Sequence, residues 1–222
     1  MTKNLIKDYL RVIREQNKYN FVSKYDFLIV VDDAMSFYPY LKNLNVYRNC
    51  KIIESQDLFT NGFHNLSVGK NIGIDYARDN NYEWIFICDA DVVVFRDFQF
   101  PKNGFCVSEW IKLNKDEKPN LNDKSLFTPS SNYLMRNDVF NKLRYNEQYY
   151  GHGWEDMEIF WVERLRHNIK CKISNKNCLH IYHDLRTFYF NDHTFERNES
   201  IFTANFMKHI GDEKLLRKIL NK

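Results

Sequence analysis

The residues of this sequence best suited to chemistry are carboxylates and histidines that follow apolar runs. Asp89 and Asp91 come after the most apolar stretch, WIFI, and precede three valines. Ligands of open α/β sheets bind beyond the carboxyl ends of the strands. Carboxylates at such an edge can bind a hard divalent cation, which in turn can bind a diphosphate. An ordinary acidic turn is the alternative interpretation of this D-x-D pattern taken alone.

A second acidic pair, Glu155 and Asp156, lies in the stretch YYGHGWEDMEIFWVERL. The apolar residues that follow have helical spacing, so Asp156 is expected in the first turn of an amphipathic helix, where the macrodipole favours its ionised form. An ionised carboxylate within reach of a sugar hydroxyl can act as the base that removes its proton. Capping of the helix is the alternative, although it accounts less well for Trp154 and Trp161 beside the glycines.

Two further groups could complete a site. His180 and His183 lie beside Asp184, and their imidazoles could bind one metal ion, with Mn²⁺ or Zn²⁺ favoured over Ca²⁺. A surface histidine pair is the alternative. Asp32 and Asp33 end the apolar run FLIVV and could add an acidic group at the same sheet edge, for a ribose or a base. A strand-ending turn explains them equally well.

The elements that would position these groups alternate in type. Apolar spacing predicts a helix over residues 3–16, and short apolar runs predict strands at 27–31, 50–55 and 83–95. A helix is predicted over 68–80. Because strands and helices alternate, we expect an α/β fold with a mostly parallel sheet.

The second half of the chain has a different pattern. Residues 112–125 are charged and aperiodic, which predicts a mobile loop. A strand followed by a helix is predicted over 127–143, and one or two strands should end in the histidines. The tail, 195–221, predicts helices broken near Gly211.

Composition narrows the class of protein. With 222 residues and 44% hydrophobic content, the chain can bury a sizeable core, and we expect one domain. The net charge of +3 is dispersed along the chain, which argues against a nucleic-acid partner. The five cysteines show no C-x-x-C pairing and indicate reduced thiols. Since no signal peptide or membrane span is recognised, we expect a cytoplasmic protein.

Taken in order, these motifs resemble glycosyltransferases of the GT-A fold, especially the β-1,4-galactosyltransferase catalytic domain and bacterial chondroitin-polymerase modules. That family has N-x-G, then an apolar strand and D-x-D; here Asn71-Ile72-Gly73 is followed by WIFICDADVVVF. The family's G-W-G-G-E-D-D-D-I-F is matched by GHGWEDMEIF, and its M-x-x-H is matched in spacing by His180-x-x-His183. The resemblance covers about residues 27–190.

The resemblance implies a role for each group. Asp156 would be the base. The acceptor would contact Glu155, Trp154 and His152. The metal, Mn²⁺ or alternatively Mg²⁺, would be bound by Asp91, His180 and His183. The nucleotide sugar would contact Asp32, Asp33, Lys70, Asn71, Asp89 and Asp91. The nucleotide-binding part would span about 1–100, and the acceptor-binding and metal-completing part about 101–222.

The implied function is a metal-dependent, inverting transfer of a hexose or N-acetylhexosamine from a UDP-sugar to a glycan or another hydroxyl acceptor. The family's first strand, with its P-x-R/Y-N signature, has no match here, so we expect a GT-A sheet lacking that strand. A retaining GT-A transferase and a non-catalytic sugar-binding module are the alternatives. The first shares the D-x-D motif but needs no base, and the second would bind glycan without nucleotide.

Overall fold

The computed structural model describes residues 12, 14–16, 18–19, 24–32, 50–89, 91–113, 132–151, 153–181 and 193–220. The predicted N-terminal helix falls mostly outside these residues, but Val12 and residues 14–16 are helical. Gln16 is buried and joins this segment to a strand, since its Nε2 donates to Val94 O at 2.7 Å and its Oε1 accepts from Val94 N at 2.8 Å. The expected absence of a first strand also concerns residues that lie mainly outside the described part.

The first strands form two small sheets. β1 (Phe27–Val31) and β2 (Cys50–Glu54) are parallel, as the sequence predicts, and a hairpin follows, of β3 (Phe59–Thr60) and β4 (Phe63–His64). The hairpin turns through Asn61 and Gly62, which have φ of 53° and 80°. An Asn-Gly pair adopts such left-handed conformations readily, which is why this dipeptide is typical of tight hairpins.

The predicted central helix is α1 (Leu66–Asp79). It begins at Asn65, whose side chain accepts a hydrogen bond from Val68 N at 3.1 Å and so satisfies one of the free amides of the first turn. Ile74 and Ala77 lie on its buried face, and the helix contacts both β1 and β5 (Trp84–Ile87).

A five-stranded sheet forms the larger layer. Its strand order is β5-β8-β7-β9-β6. The strands not yet given are β6 (Val92–Val94), β7 (Phe105–Leu113), β8 (Tyr133–Arg136) and β9 (Lys172–Ile181). Only β7 and β9 pair in parallel, and the other three neighbouring pairs are antiparallel. The prediction of a mostly parallel sheet is therefore wrong for this sheet, which is mixed. Apolar runs buried on both faces do not reveal strand direction.

The same sheet has to curl. The run predicted as one strand over 83–95 is divided into β5 and β6, which occupy opposite ends of the strand order although only residues 88–91 connect them. A flat five-stranded sheet would separate its edge strands by about 19 Å. The connection turns back on itself, because Val92 N donates to Asp89 O at 3.2 Å. The two edges must therefore approach each other where the D-x-D residues lie.

The remaining helices cover the carboxyl-terminal half. The strand and helix predicted over 127–143 are β8 and α2 (Asn137–Phe140). The helix predicted after the glycines starts as α3 (Glu155–Glu158), passes through a π-helical segment, Ile159–Glu163, and ends as α4 (Arg164–Arg166). The predicted break near Gly211 separates α5 (Thr194–His209) from α6 (Glu213–Leu220). Of the predicted loop 112–125, Lys112 and Leu113 belong to β7 and the rest lies outside the described residues.

Two simpler predictions can be compared with the structure. All five cysteines are free thiols, as their spacing predicts. In the described part of the chain, no helix combines the length and apolar character that a bilayer crossing requires.

Candidate active site

The centre of the candidate site is a buried ion cluster around Lys70. Its Nζ lies 2.8 and 2.9 Å from the two carboxylate oxygens of Asp156, 3.4 Å from Glu155 Oε1 and 3.8 Å from Asp89 Oδ1. The side chains of Lys70 and Glu155 are each 8% exposed and that of Asp156 is 14% exposed. One ammonium group is thus shared by three carboxylates, so negative charge is in excess.

Lys70 is directed into the site by the packing of α1. It precedes Ile74 by four residues and Ala77 by seven, so it lies on the same buried face of the helix. A buried lysine is stable only with charged partners, and the carboxylates supply them. Its Nζ also lies 5.1 Å from the centre of the Tyr145 ring, which contacts the ammonium from a further side.

Asn71, the neighbour of Lys70, fixes the segment that carries Tyr145. Its Nδ2 donates to Tyr145 O at 2.9 Å and to Glu147 Oε1 at 2.8 Å, while its Oδ1 accepts from Tyr145 N at 2.9 Å. Asn71 is 1% exposed. Asn71, which the sequence predicted to contact the donor, therefore lies inside the protein. Its amide fixes the segment whose Tyr145 ring packs against the Lys70 ammonium.

Asp156 lies in the first turn of α3, as predicted, but the dominant influence on its charge differs from the prediction. Burial raises the pKa of Asp156 to about 7; the Lys70 ammonium opposes this rise, and the Glu155 and Asp89 carboxylates add to it. The macrodipole, expected to favour the ionised form, is outweighed by desolvation. A carboxyl group with this pKa is suited to exchange protons near neutral pH.

The capping alternative for the acidic pair does not describe this helix start. The residue at the N-cap is Trp154, and no side chain makes a capping hydrogen bond there. Both carboxylates instead contact Lys70. The start of α3 is also tied to the sheet, because Tyr133 Oη in β8 donates to Asp156 O at 2.8 Å.

The backbone before the acidic pair has an unusual conformation. Gly151, Gly153 and Trp154 all have positive φ, of 74°, 83° and 76°. This is easy for glycine but costly for a bulky residue such as tryptophan. At Gly153 a side chain would also meet the ring of Phe195 at 3.1 Å. Strained backbone of this kind persists where the surrounding structure fixes it, and it is common at functional sites.

Helix α5 fixes that backbone. Asn198 Nδ2 donates to Tyr150 O at 3.0 Å and to Gly153 O at 3.2 Å. The ring of Trp154 packs against Phe202, with centroids 5.0 Å apart, and near Phe195 at 5.6 Å. The acceptor contact predicted for Trp154 therefore concerns a side chain that also packs against α5. His152, the other predicted acceptor contact, lies outside the described residues.

A third acidic residue of this helix, Glu158, was missed by the sequence interpretation. It is 4% exposed and accepts hydrogen bonds from Tyr149 Oη and from Asn205 Nδ2 at 3.0 Å, with Asn146 Nδ2 at 3.3 Å. These donors come from the segment before the glycines and from α5. Its spacing of three from Glu155 places it one turn further along the helix, which was the available signal.

The residues predicted to bind metal meet at the curled edge of the sheet. His180 pairs with Val92 across β9 and β6, and its Nε2 lies 3.1 Å from Asp91 Oδ2. Each of these two side chains is about a quarter exposed, at 26% and 25%. A carboxylate oxygen and an imidazole nitrogen suit Mn²⁺, so this pair fits two positions of such a site. Among the described residues no group of three His, Cys, Asp or Glu side chains forms a metal site, and His183, the predicted further ligand, lies outside them.

The acidic pair predicted at the end of β1, Asp32 and Asp33, lies apart from the Lys70 cluster in the chain. Asp32 follows β1, and its backbone O accepts from Gln56 Nε2 at 3.1 Å. Burial lowers the pKa of His64, while the Asp32 charge opposes that change, so the two side chains interact electrostatically. Asp33 lies outside the described residues.

Comparison with known proteins identifies the class of fold. The chain shares the fold of a galactosyltransferase catalytic domain. One similar solved structure is the catalytic domain of Drosophila β-1,4-galactosyltransferase 7 in complex with xylobiose; the match has a TM-score of 0.50 and 20% sequence identity, and covers 78% of this chain and 79% of that one. No protein-family model and no curated protein matches the sequence.

Proposed function

We propose that this chain is a metal-dependent, inverting glycosyltransferase of the GT-A fold. It transfers a hexose or N-acetylhexosamine from a UDP-sugar to a glycan or another hydroxyl acceptor. The observation that carries this proposal is the position of Asp156: a buried carboxylate near neutral pKa lies in one ion cluster with Asp89 of the D-x-D motif. The shared fold with a galactosyltransferase catalytic domain supports it.

In this mechanism different residues serve the acceptor and the donor. Asp156 accepts the proton of the acceptor hydroxyl as that oxygen forms a bond to C1 of the donor sugar. The bond from C1 to the diphosphate oxygen breaks, and the electron pair leaves with the nucleoside diphosphate. Asp89 is proposed to face the donor, and Glu155 is proposed to bind an acceptor hydroxyl.

The metal would be held by Asp91 and His180, with His183 as the proposed further ligand. When bound, a divalent cation supplies charge stabilisation to the departing diphosphate. Asp32 and Asp33 are proposed to contact the ribose or base of the donor, and Lys70 is proposed to border that site. Asn71 is proposed to act indirectly, by fixing the segment that carries Tyr145.

The first test is a thermal-shift screen of UDP, GDP, CMP and their sugars with and without Mn²⁺. A ligand at 100 times its Kd should stabilise the folded protein by about 2.7 kcal/mol. Stabilisation that requires nucleotide and metal together supports a donor site and names the donor for a transfer assay. A folded sample that responds to no nucleotide, but to glycans, would instead favour the sugar-binding module.

The stereochemical part of the proposal needs its own measurement. Proton NMR of the first product formed gives its anomeric configuration. Inversion relative to the donor is expected, because Asp156 is proposed to act as the base for direct attack. Retention would reject the inverting mechanism and favour the retaining GT-A alternative.

A further inference from the structure

Lys70 contacts residues on both sides of the proposed site, and not only the residue expected to face the donor. Its Nζ reaches Asp89, after β5, and both Glu155 and Asp156, at the start of α3. The donor side and the acceptor side of the proposed site are therefore joined through one ammonium group. Both Asp156 carboxylate oxygens accept hydrogen bonds from the Lys70 ammonium, at 2.8 and 2.9 Å, so the plane of that carboxylate is fixed.

This contact leaves Asp156 able to act on a substrate. An ionised carboxylate has about four acceptor positions, and the single ammonium group occupies only part of them. The remaining lone pairs can accept a hydroxyl hydrogen. The backbone of the same residue is fixed independently, since Tyr133 Oη donates to Asp156 O at 2.8 Å.

We propose that Lys70 is a positioning residue for the base Asp156, holding its carboxylate beside the D-x-D connection. This inference rests on the proposed role of Asp156 as base. It assigns to Lys70 a role toward the acceptor half of the reaction, beyond the donor contact implied by the sequence motif. The positive charge of Lys70 also favours the ionised form that a base requires.

Three charged side chains, from α1, α3 and the connection after β5, act on Asp156. Lys70 of α1 is the cation that opposes protonation, while Glu155 of α3 and Asp89 after β5 favour it. The phenol of Tyr145 lies beneath the ammonium, and burial together with the Asp156 charge raises its pKa well above the usual range. Tyr145 and Tyr133 therefore stay neutral while Asp156 titrates. Lys70 is the main group that favours the ionised form of Asp156.

The test is a titration of Asp156 in the whole chain without any sugar donor. Carboxyl carbons of aspartate are labelled with ¹³C, and the Asp156 signal is identified by its loss in Asp156→Asn. In Lys70→Met the midpoint should rise by about one to three pH units, because a neighbouring opposite charge lowers a carboxyl pKa by that amount. Lys70→Arg, which keeps the charge, should return it toward the wild-type value.

Lys51 offers a matched control. Its Nζ also lies over a tyrosine ring, 5.0 Å from the centroid of Tyr76, and it is exposed on β2. Lys51→Met should leave the Asp156 midpoint unchanged. An unchanged midpoint in Lys70→Met, or equal shifts in the Met and Arg variants, would overturn the proposal.

A second measurement needs no substitution of Lys70, in case Lys70→Met does not fold. The ammonium protons of Lys70 should exchange slowly enough to be seen by ¹⁵N NMR in the wild-type chain. Their signal should shift in Asp156→Asn, because the nearest partner of the ammonium loses its charge, and an unchanged signal would reject the contact. Neither measurement depends on glycosyl transfer, so a failed titration rejects the role of Lys70, while absence of any transfer activity rejects the proposed function separately.

Discussion

Tyr133, in the strand next to the edge strand β5 of the mixed sheet, donates its hydroxyl hydrogen to the backbone carbonyl of Asp156, at 2.8 Å. The two residues belong to β8 and to the first turn of α3, and Tyr133 is fully buried. A rigid strand thus sets the position of the helix start that carries the proposed base. The same carbonyl also accepts from Ile159 N within the helix.

Replacement of Tyr133 by phenylalanine removes this link with little change in volume. We expect Tyr133→Phe to lower the free energy of unfolding by about 1 kcal/mol, the usual net value of such a hydrogen bond. The Asp156 carbonyl keeps its helical partner, so the loss should not be larger. Urea denaturation measures it, and a loss above about 3 kcal/mol would contradict the assignment of a single bond.

Removal of the proposed base should separate binding from turnover. Asp156→Asn keeps the shape of the side chain but cannot accept the proton, so kcat should fall about 10²–10⁴-fold, the usual contribution of general base catalysis. Metal-dependent nucleotide binding, measured by calorimetry, should remain. Unchanged transfer by this variant would reject Asp156 as the base.

The same carboxyl group should set the acid side of the pH profile. Because burial raises the pKa of Asp156 to about 7, most of it is protonated at pH 6 and cannot accept a proton. Its ionised fraction, and with it kcat, should rise as pH increases through about 7 and then level off. A pH series at saturating substrate checks this, and a rate that falls over pH 6–8 would have the wrong sign for a base.

The proposed metal ligands can be tested against a histidine elsewhere. Asp91→Ala and His180→Ala should each weaken nucleotide binding in the presence of Mn²⁺, with the titration followed by calorimetry. His167→Ala is the control, because His167 lies just after α4, outside the connection between β5 and β6 that carries Asp91, and its Nε2 is 3.5 Å from Glu163 Oε2. Its nucleotide affinity should match the wild type, and equal losses in all variants would indicate damage to the fold instead of the site.

Glu158 should matter for stability more than for chemistry. Glu158→Gln exchanges an acceptor oxygen for a donor group that faces Asn205 and Tyr149, which leaves buried polar groups without partners. We expect a loss of about 1–3 kcal/mol in unfolding free energy and faster amide exchange in α5. Glu213→Gln is the control: Glu213 is 64% exposed, so the change there should stay within about 0.5 kcal/mol.

Local sequence pattern predicted the elements of this chain better than their arrangement. The run FLIVV, the stretch VGKNIGIDYARDN and the break near Gly211 each identified an element, because local patterns and glycine act over a few residues. The division of WIFICDADVVVF between opposite ends of the strand order was not visible, since pairing depends on distant strands.

The candidate site shows the same limit. Placing Asp156 in a first helical turn required only its neighbours. The contact with Lys70 spans 86 residues of chain, and the burial that raises the Asp156 pKa comes from the packed fold. The roles given to the site residues stay predictions, and three of these residues, His183, His152 and Asp33, lie outside the described part of the chain.

The π-helical segment Ile159–Glu163 affects how this chain aligns with a protein that has a regular helix at the same place. Its wider turn, with Arg164 N bonded to Ile159 O, holds one residue more than an α-helical turn would. Such a segment has the geometry of a regular helix with a single residue inserted. An alignment that keeps Glu155 and Asp156 matched to a relative with a regular helix must therefore open a one-residue gap after Glu158. Because the wide turn accommodates the extra residue, deletion of one residue within it should give a regular helix and keep the residues beyond it in register with the carboxylates.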